Sequence, residues 1–433
     1  MAGGNFGGGT GTELDPYLVE DAADLNAVRN NLTAAYKQTA NIDLISYTSW
    51  EPIGLPFSGR YDQNGYYIDN LQINSDFTYH GLFGVLANAV INNIDVRNAS
   101  IINTGGPTVY VGILAAIMSN VTMLRGKVQG EASCTESTNG MVGGLCASIE
   151  NSSVIDQVEV DVTLTGNVIG GFATFIGSTC TTTNCSAKGR AIPLDDSVYS
   201  EHGGFVFQNY PESTLDNCYA AVSLEATFEF AYRGGFACAN YPTWLEPDPA
   251  NSNINITSCY FDTDIAGIVS GSIATPKTAA QMKQQATFVG WDFVDIWSIN
   301  EGVTYPYITP PEPPIVLTSP VLLTDKIYSA NPLVTFKINK QENIPYLGPK
   351  LHCRIETFAD AAMTQLLDDR TSNIVDSSHP SFEYSFNGAT WFDVAPTGID
   401  PTQYGNFDMY VRARVFVGPR QQAYVRCSIG IDD

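Results

Sequence analysis

The sequence predicts an all-β protein: a right-handed parallel β-solenoid (β-helix) with an N-terminal capping helix, followed by an immunoglobulin-like β-sandwich. Three observations predict this fold. A glycine motif returns at a steady period, apolar and polar residues alternate between the glycines, and a proline-rich segment precedes further strand-like runs. The first two features indicate stacked coils of short strands, and the third indicates a domain boundary.

Residues 1–49 are predicted to form the N-terminal segment and its helix. The helix is placed at 21–34, because Asp21 can serve as its N-cap and an apolar stripe at helical spacing follows, made of Leu25, Val28 and Leu32. An open solenoid exposes sheet edges at its ends, so we interpret this helix as a cap.

Residues 50–309 carry the solenoid, with about six repeats. Steps of 31, 32, 27, 33 and 31 residues separate the aligned glycines, which are Gly81, Gly112, Gly144, Gly171, Gly204 and Gly235. We interpret them as structural coil corners, where the chain needs φ values that only glycine adopts at low cost. A phosphate-binding role would require a helix after each glycine-rich turn, and no helical pattern follows them.

Cysteines occupy a fixed place in the later repeats. Cys185 and Cys218 lie 14 residues after their glycines, and Cys259 takes the same place once an insertion over 244–253 is allowed for. Apolar residues hold the equivalent positions of earlier repeats: Ile94, Leu124 and Val158. The column is therefore predicted to point into the core as apolar thiols, and Cys180 with Cys185 is a candidate local disulfide.

Residues 310–314 read Pro-Pro-Glu-Pro-Pro and predict a stiff, extended linker. Beyond them, residues 315–433 are predicted to form the sandwich. Its strand-like runs lie at 315–317, 333–338, 351–357, 382–386, 409–417 and 423–431, with Asn387-Gly388 as a turn.

The composition narrows the function classes. The formal net charge is -24 with no basic block, which argues against nucleic acid as a partner. The N-terminus lacks the basic start and the apolar run of a signal peptide, and no later segment has the length of a membrane span. We therefore expect no membrane insertion, and a particle assembled in the cytoplasm accommodates these features.

The solenoid region resembles the GLUG-motif β-solenoid family, found in bacterial adhesins, IgA-cleaving peptidases and phage structural proteins. The resemblance rests on Gly9–Tyr17, Trp50–Gly54, Phe57–Leu71, Gly81–Gly84, Trp297–Asn300 and Tyr305–Tyr307. It implies a scaffold or adhesion module over residues 9–309, without the peptidase domains of some members. Residues 382–391 and 410–415 resemble fibronectin-like modules of phage tail and bacterial surface proteins.

The sequence gives no pattern for catalysis, and no catalytic, cofactor-binding or metal-binding residue is assigned. The histidines are His80, His202, His352 and His379; they form no HExxH motif, and no GxSxG motif occurs. Carboxylates could still form the pair that glycoside hydrolysis needs, and the candidates are Asp195 with Asp196, Glu201, and Asp262 with Asp264.

Aromatic residues concentrate in the last coils. Tyr210, Tyr232, Tyr241 and Trp244 are candidate contacts for a ligand or partner, since aromatic rings beside carboxylates suit a glycan or a protein surface. The alternative is that most aromatic residues of this region belong to the core, and burial statistics favour that alternative.

These features predict a non-enzymatic virion structural or attachment protein, such as a phage tail, baseplate or head fibre, on the particle exterior. Its partners would be other virion proteins, copies of itself, as in a homotrimer, or a host glycan or protein. A bacterial cell-surface adhesin is the first alternative and a glycan-degrading tailspike enzyme is the second.

Overall fold

The computed structural model divides the chain into two compact units, 1–310 and 311–433, and each is treated by itself below. In the first unit the structure describes residues 6–106, 108–135, 140–194, 200–225, 232–240, 255–268 and 274–309. In the second unit it describes the backbone of 321–322, 333–339, 350–358, 366–373, 382–385, 408–414 and 424–432.

The first unit is a parallel β-solenoid, as predicted. Its largest sheet, the long face, has 16 strands. They are Tyr17–Val19, Ala35–Gln38, Ile42–Asp43, Arg60–Asp62, Ile68–Asp69, Gln72–Ser75, Val90–Asn103, Thr122–Cys134, Val154–Thr165, Thr181–Thr183, Ser186–Ile192, Thr214–Asp216, Tyr219–Leu224, Asn255–Thr257, Tyr260–Asp262 and Thr275–Lys277.

Two shorter sheets of 6 strands each complete the coil. The first short face contains Tyr79–His80, Val109–Val111, Gly140–Gly143, Val168–Gly170, Glu201–Gly203 and Tyr232–Gly234. The second short face contains Phe83–Ala87, Ala115–Ser119, Cys146–Glu150, Ala173–Ile176, Val206–Asn209 and Ala237–Asn240. The repeat glycines lie at the corner between these two faces, and since 6 strands enclose 5 steps, the coil has about five turns rather than six.

The N-terminal helix is shorter than predicted. Asp21 caps it by accepting bonds from the amides of Ala23 and Asp24, and the α-helix Ala22–Ala27 continues as a 3-10 turn, Val28–Asn30. Asn31 leaves the helical conformation, with φ -145°, because the chain must reach the strand Ala35–Gln38. Leu32 is therefore outside the helix, while Leu25 and Val28 are fully buried.

The helix also does not cover the sheet edge, contrary to the prediction. It lies in sequence between the first two strands, and Tyr17–Val19 is the outermost strand of the long face. That strand is paired on its outer side by the preceding segment, where the amide of Gly7 donates to the carbonyl of Leu18 and the amide of Leu18 donates to the carbonyl of Gly8. The ring of Phe6 stacks on Tyr17 at 4.7 Å.

The repeat glycines are required for close packing between turns, and the predicted φ requirement is wrong for most of them. Gly81 is the one repeat glycine with a positive φ. A Cβ atom on Gly144, Gly171 or Gly204 would collide with the carbonyl oxygen of the glycine one turn further on. These turns therefore approach more closely than any residue with a side chain allows.

Inside the corner, side chains stack in register. The rings of Phe172, Phe205 and Phe236 lie parallel, with centroids 4.6 and 4.8 Å apart and interplanar angles of 5°. In-register pairing of the strands produces this ladder, because each residue lies directly over its counterpart in the next turn. The core is thus continuous along the solenoid.

The predicted cysteine column exists, with one correction. Cys185, Cys218 and Cys259 are buried, free thiols, and Cys180 is also free, so the candidate local disulfide is not formed. The register places Gly126, not Leu124, between Ile94 and Val158 in that column. Leu124 is 43% exposed, because Arg125 takes a left-handed φ of 60° and shifts the inward position by two residues.

Beyond the turns, residues 263–308 form short elements: the single helical turn Thr263–Ala266, the 3-10 turns Gln281–Lys283 and Gln285–Thr287, and an antiparallel pair, Trp297–Ser298 with Tyr307–Ile308. The long face ends at Thr275–Lys277. Thr275 donates its amide inward to Cys259, so the next residue, Pro276, has no N–H to offer at the outer edge.

The second unit contains two antiparallel sheets among its described strands. One has the order Val321–Leu322, Leu333–Asn339, Asp408–Arg414, Phe382–Ser385, and the other has the order Leu366–Asn373, Lys350–Phe358, Tyr424–Asp432. The run at 315–317 and the turn Asn387-Gly388 lie outside the described residues. The immunoglobulin-like topology stays a prediction.

Gly171→Ala is expected to lower the free energy of unfolding by about 1–3 kcal/mol, the usual cost of overpacking a tight site. Gly105→Ala is the matched control, since its Cβ would meet nothing nearer than Asp76, at 3.7 Å. The control should change stability by less than about 0.5 kcal/mol. Urea denaturation of both variants measures the difference, and equal stabilities would contradict the packing explanation.

Candidate functional site

The predicted aromatic contacts are not brought together by the described part of the chain. Tyr210 is half-buried after the strand Val206–Asn209, and its ring lies 6.4 Å from that of Phe175. Tyr232 lies on a strand of the first short face, but its side chain is outside the described set. Tyr241 and Trp244 are outside the described residues altogether.

The predicted carboxylates have different surroundings. Asp195 and Asp196 lie outside the described residues. Glu201 is half-buried on the first short face, and together with burial, which is the larger cause, it raises the pKa of the Cys238 thiol to about 12. Cys238 is therefore a poor nucleophile at neutral pH.

Asp262 and Asp264 form structural hydrogen bonds in this structure. Oδ1 of Asp262 accepts the amides of Asp264 and Ile265 at 2.8 and 3.0 Å, and its Oδ2 accepts the hydroxyl of Tyr305 at 2.6 Å. Oδ2 of Asp264 accepts the amide of Ala279 at 2.9 Å. The pair thus caps the helical turn and anchors the chain that follows it.

That following segment packs against the outer surface of the long face. We call residues 282–308 the C-terminal clasp. It forms a second apolar cluster, separate from the solenoid interior, in which the buried members are Tyr219, Ala221, Tyr260, Met282, Phe288, Trp291, Trp297 and Ile308. Tyr219 and Tyr260 belong to strands of the long face, so their rings point outward and are covered by the clasp.

Directional hydrogen bonds fix the clasp to successive turns. The indole Nε1 of Trp291 donates to the carbonyl of Ser258 at 3.0 Å, and the hydroxyl of Tyr219 donates to the carbonyl of Pro306 at 2.6 Å. The indole of Trp297 donates to Oδ1 of Asn184 at 3.4 Å. Because these partners lie on different coils, one short segment links turns that are otherwise joined only to their neighbours.

A buried carboxylate lies beneath the end of the clasp. Glu159 is 7% exposed, and its Oε1 lies 3.5 Å from Nζ of Lys188. Its carboxylate also accepts a backbone hydrogen bond from Ile308. Burial raises the pKa of Glu159, and the charges of Lys188 and Lys127 oppose that rise without cancelling it.

The histidines do not form a metal site in the part of the chain that the structure describes. His80 and His202 are buried on the first short face, and burial lowers the pKa of His80. His352 lies on a strand whose side chains are not described, and His379 is outside the described residues. Among described residues no group of His, Cys, Asp or Glu has the geometry for a metal ion, and no helix is long and apolar enough to cross a membrane.

No family model matches the chain. In sequence it is similar to Halomucin of Haloquadratum walsbyi, with 36% identity over 168 residues, which is 34% of this chain and 2% of that protein. It is also similar to a protein of Evansella cellulosilytica that is provisionally named a Gly-rich membrane protein, with 38% identity over 134 residues, 27% of this chain and 15% of that protein. The chain therefore spans only a small part of each relative.

Among solved structures, the chain is similar to an IgA1 protease, with a TM-score of 0.36 and 15% identity over 59% of this chain and 20% of that one. A tailspike protein 4 of bacteriophage CBA120 matches with a TM-score of 0.14 and 9% identity, over 94% of this chain and 65% of that one. Neither likeness carries an argument about function. The GLUG assignment stays a prediction, and the sequence relatives place the solenoid beside surface and repeat proteins.

Glu159→Gln is expected to change how stability depends on pH. Because the folded protein holds the Glu159 proton more tightly than the unfolded chain does, wild-type stability should fall as pH rises above the ordinary pKa of 4.5 and through the raised one. The glutamine variant lacks this titration, so it should gain stability relative to wild type between pH 4 and neutrality.

Glu131→Gln is the control for this experiment, since Glu131 is exposed on the same face. Urea denaturation across the pH range gives the comparison. A stability difference between wild type and Glu159→Gln that does not vary with pH, or that varies in the opposite sense, would contradict the buried-carboxylate account.

Proposed function

We propose that this protein is a non-catalytic extracellular scaffold, a stiff rod at a cell or particle surface that carries tension between its two ends. The observation behind the proposal is the C-terminal clasp. Segments that contact only one turn can be peeled away turn by turn, because a solenoid repeat is held only by its neighbours. The clasp ties the turns of Asn184, Tyr219 and Ser258 to a segment that runs directly towards the second unit.

The non-catalytic part of the proposal rests on how the described carboxylates are used. Asp262 and Asp264 cap and anchor the clasp, and Glu159 is paired with Lys188 beneath it. Each of these carboxylates therefore has a structural role in the described part of the solenoid. A reducing-end assay on bacterial polysaccharides would contradict the proposal if the protein shortened any polymer.

The sequence relatives favour a cell surface as the location. Their names describe a membrane protein and a mucin-like protein, and the matched regions are stretches of a repeat protein. The second candidate is a virion appendage for attachment, which the two-unit layout favours, since a solenoid rod followed by an antiparallel β unit suits a spacer with a terminal module.

Immunogold labelling of the producing culture distinguishes these locations. We expect label on the outside of intact cells, removable by protease treatment of whole cells, and no label on purified particles. Label at symmetric positions on particles would instead establish the virion role, and protein confined to the cell interior would contradict both.

Trp297→Ala is expected to weaken the clasp under load. Pulling the full chain through its termini should open the first solenoid event at lower force than in wild type, with release of the clasp as a separate small step. Trp50→Ala is the matched control, because Trp50 and Trp297 are both fully buried but Trp50 lies at the opposite end of the solenoid. Equal effects of the two substitutions on the first event would contradict a load-bearing clasp.

A further inference from the structure

The two short faces differ from the long face in the charge of their strands. Over the twelve short-face strands, the acidic and basic residues are Glu150, Glu201 and Arg233. The long strands are far richer in charge: Val90–Asn103, Thr122–Cys134, Val154–Thr165 and Ser186–Ile192 contain Asp95, Arg97, Arg125, Lys127, Glu131, Asp156, Glu159, Asp161, Lys188 and Arg190. The charge of -24 is thus unevenly distributed around the rod.

Outward-facing side chains form two apolar ladders on the short faces. The register of the first short face aligns Tyr79, Tyr110, Met141 and Val168 on successive turns, and that of the second aligns Val85, Ile117, Ser148 and Phe175. These side chains are partly exposed, apart from the buried Ser148, while their neighbours along each strand are buried. Tyr79 and Tyr110 stack at 5.7 Å with an interplanar angle of 19°.

A single-sided apolar stripe of this kind marks an interaction surface, because soluble monomers seldom expose contiguous apolar area on one side. We propose that its occupant is a second copy of this chain, packed side by side along the rod. Two copies that each carry -24 repel one another least where their contact surfaces are nearly uncharged. The polar long face does not offer that option.

The repeating geometry supports the same occupant. Each turn presents the same two outward positions, so two rods in side-by-side contact gain a small apolar contact at every turn, and the contacts add along the length. The carboxylate of Glu150, near this surface, accepts the hydroxyl of Ser148 at 2.8 Å, which holds its charge in place at the end of its strand. Association would leave the long face and the clasp exposed to solvent.

Sedimentation velocity of the full chain over a range of concentrations tests the proposal. We expect reversible self-association of wild type, and Ile117→Lys should weaken it at least about tenfold, which corresponds to about 1.4 kcal/mol. Val168→Lys, on the other short face, is a second variant with the same expected effect. Leu124→Lys is the matched control, since Leu124 is equally apolar but 43% exposed on the long face.

Circular dichroism establishes that each variant is folded before its association is compared. Wild type that stays monomeric at every concentration would overturn the proposal, even if an apolar dye or another protein bound the short faces. Equal association of Leu124→Lys and the two short-face variants would also overturn it, because the contact would then lie elsewhere. The localisation and pulling experiments are unaffected by either result, so the proposed scaffold role is judged separately.

Discussion

Close approach of successive turns at the glycine corner is the constraint on which the rest of the structure depends. Gly144, Gly171 and Gly204 lie against the backbone of the next turn, where a Cβ atom would not fit. That approach fixes the register, and the register stacks Phe172, Phe205 and Phe236 as well as the cysteine column. The continuous core follows from backbone geometry at one corner, repeated at each turn.

The outer surface is determined separately from the interior, since alternate residues of each strand face opposite ways. The long face turns charged residues outward except where Tyr219 and Tyr260 receive the clasp. The clasp buries Glu159 and Tyr219, and burial raises the pKa of both groups. The same alternation that builds a uniform interior therefore allows each side of the rod to carry a different chemistry.

Much of the fold could be predicted from the sequence because its signals are local and repeated. A period in the glycines and alternation within strands are visible without tertiary information, and both predicted stacked strands correctly. The helix over 21–34 was overextended because Leu32 continues the apolar stripe, whereas strand pairing at Ala35–Gln38 ends the helix at Asn30. Leu124 was misplaced because a left-handed residue, Arg125, breaks the simple alternation.

The candidate site could not be predicted in the same way. Trp291 and Trp297 reach partners that are 33 and 113 residues away in sequence, and no local pattern encodes such pairings. The one available signal was Tyr219 and Tyr260, large aromatic side chains at positions that alternation assigns to the outside of the sheet. Similarly, the carboxylates of Asp262 and Asp264 are interpretable only once the bonds to Tyr305 and Ala279 are known.

Pro276 has a consequence for how such a chain can change length in evolution. It removes the outward N–H donor at the last strand of the long face, so a new turn added there would lack part of its ladder. A turn duplicated between Gly112 and Gly171, by contrast, finds an equivalent surface above and below it. Rods of different length are therefore expected to arise by duplication of interior turns, with both terminal segments inherited unchanged.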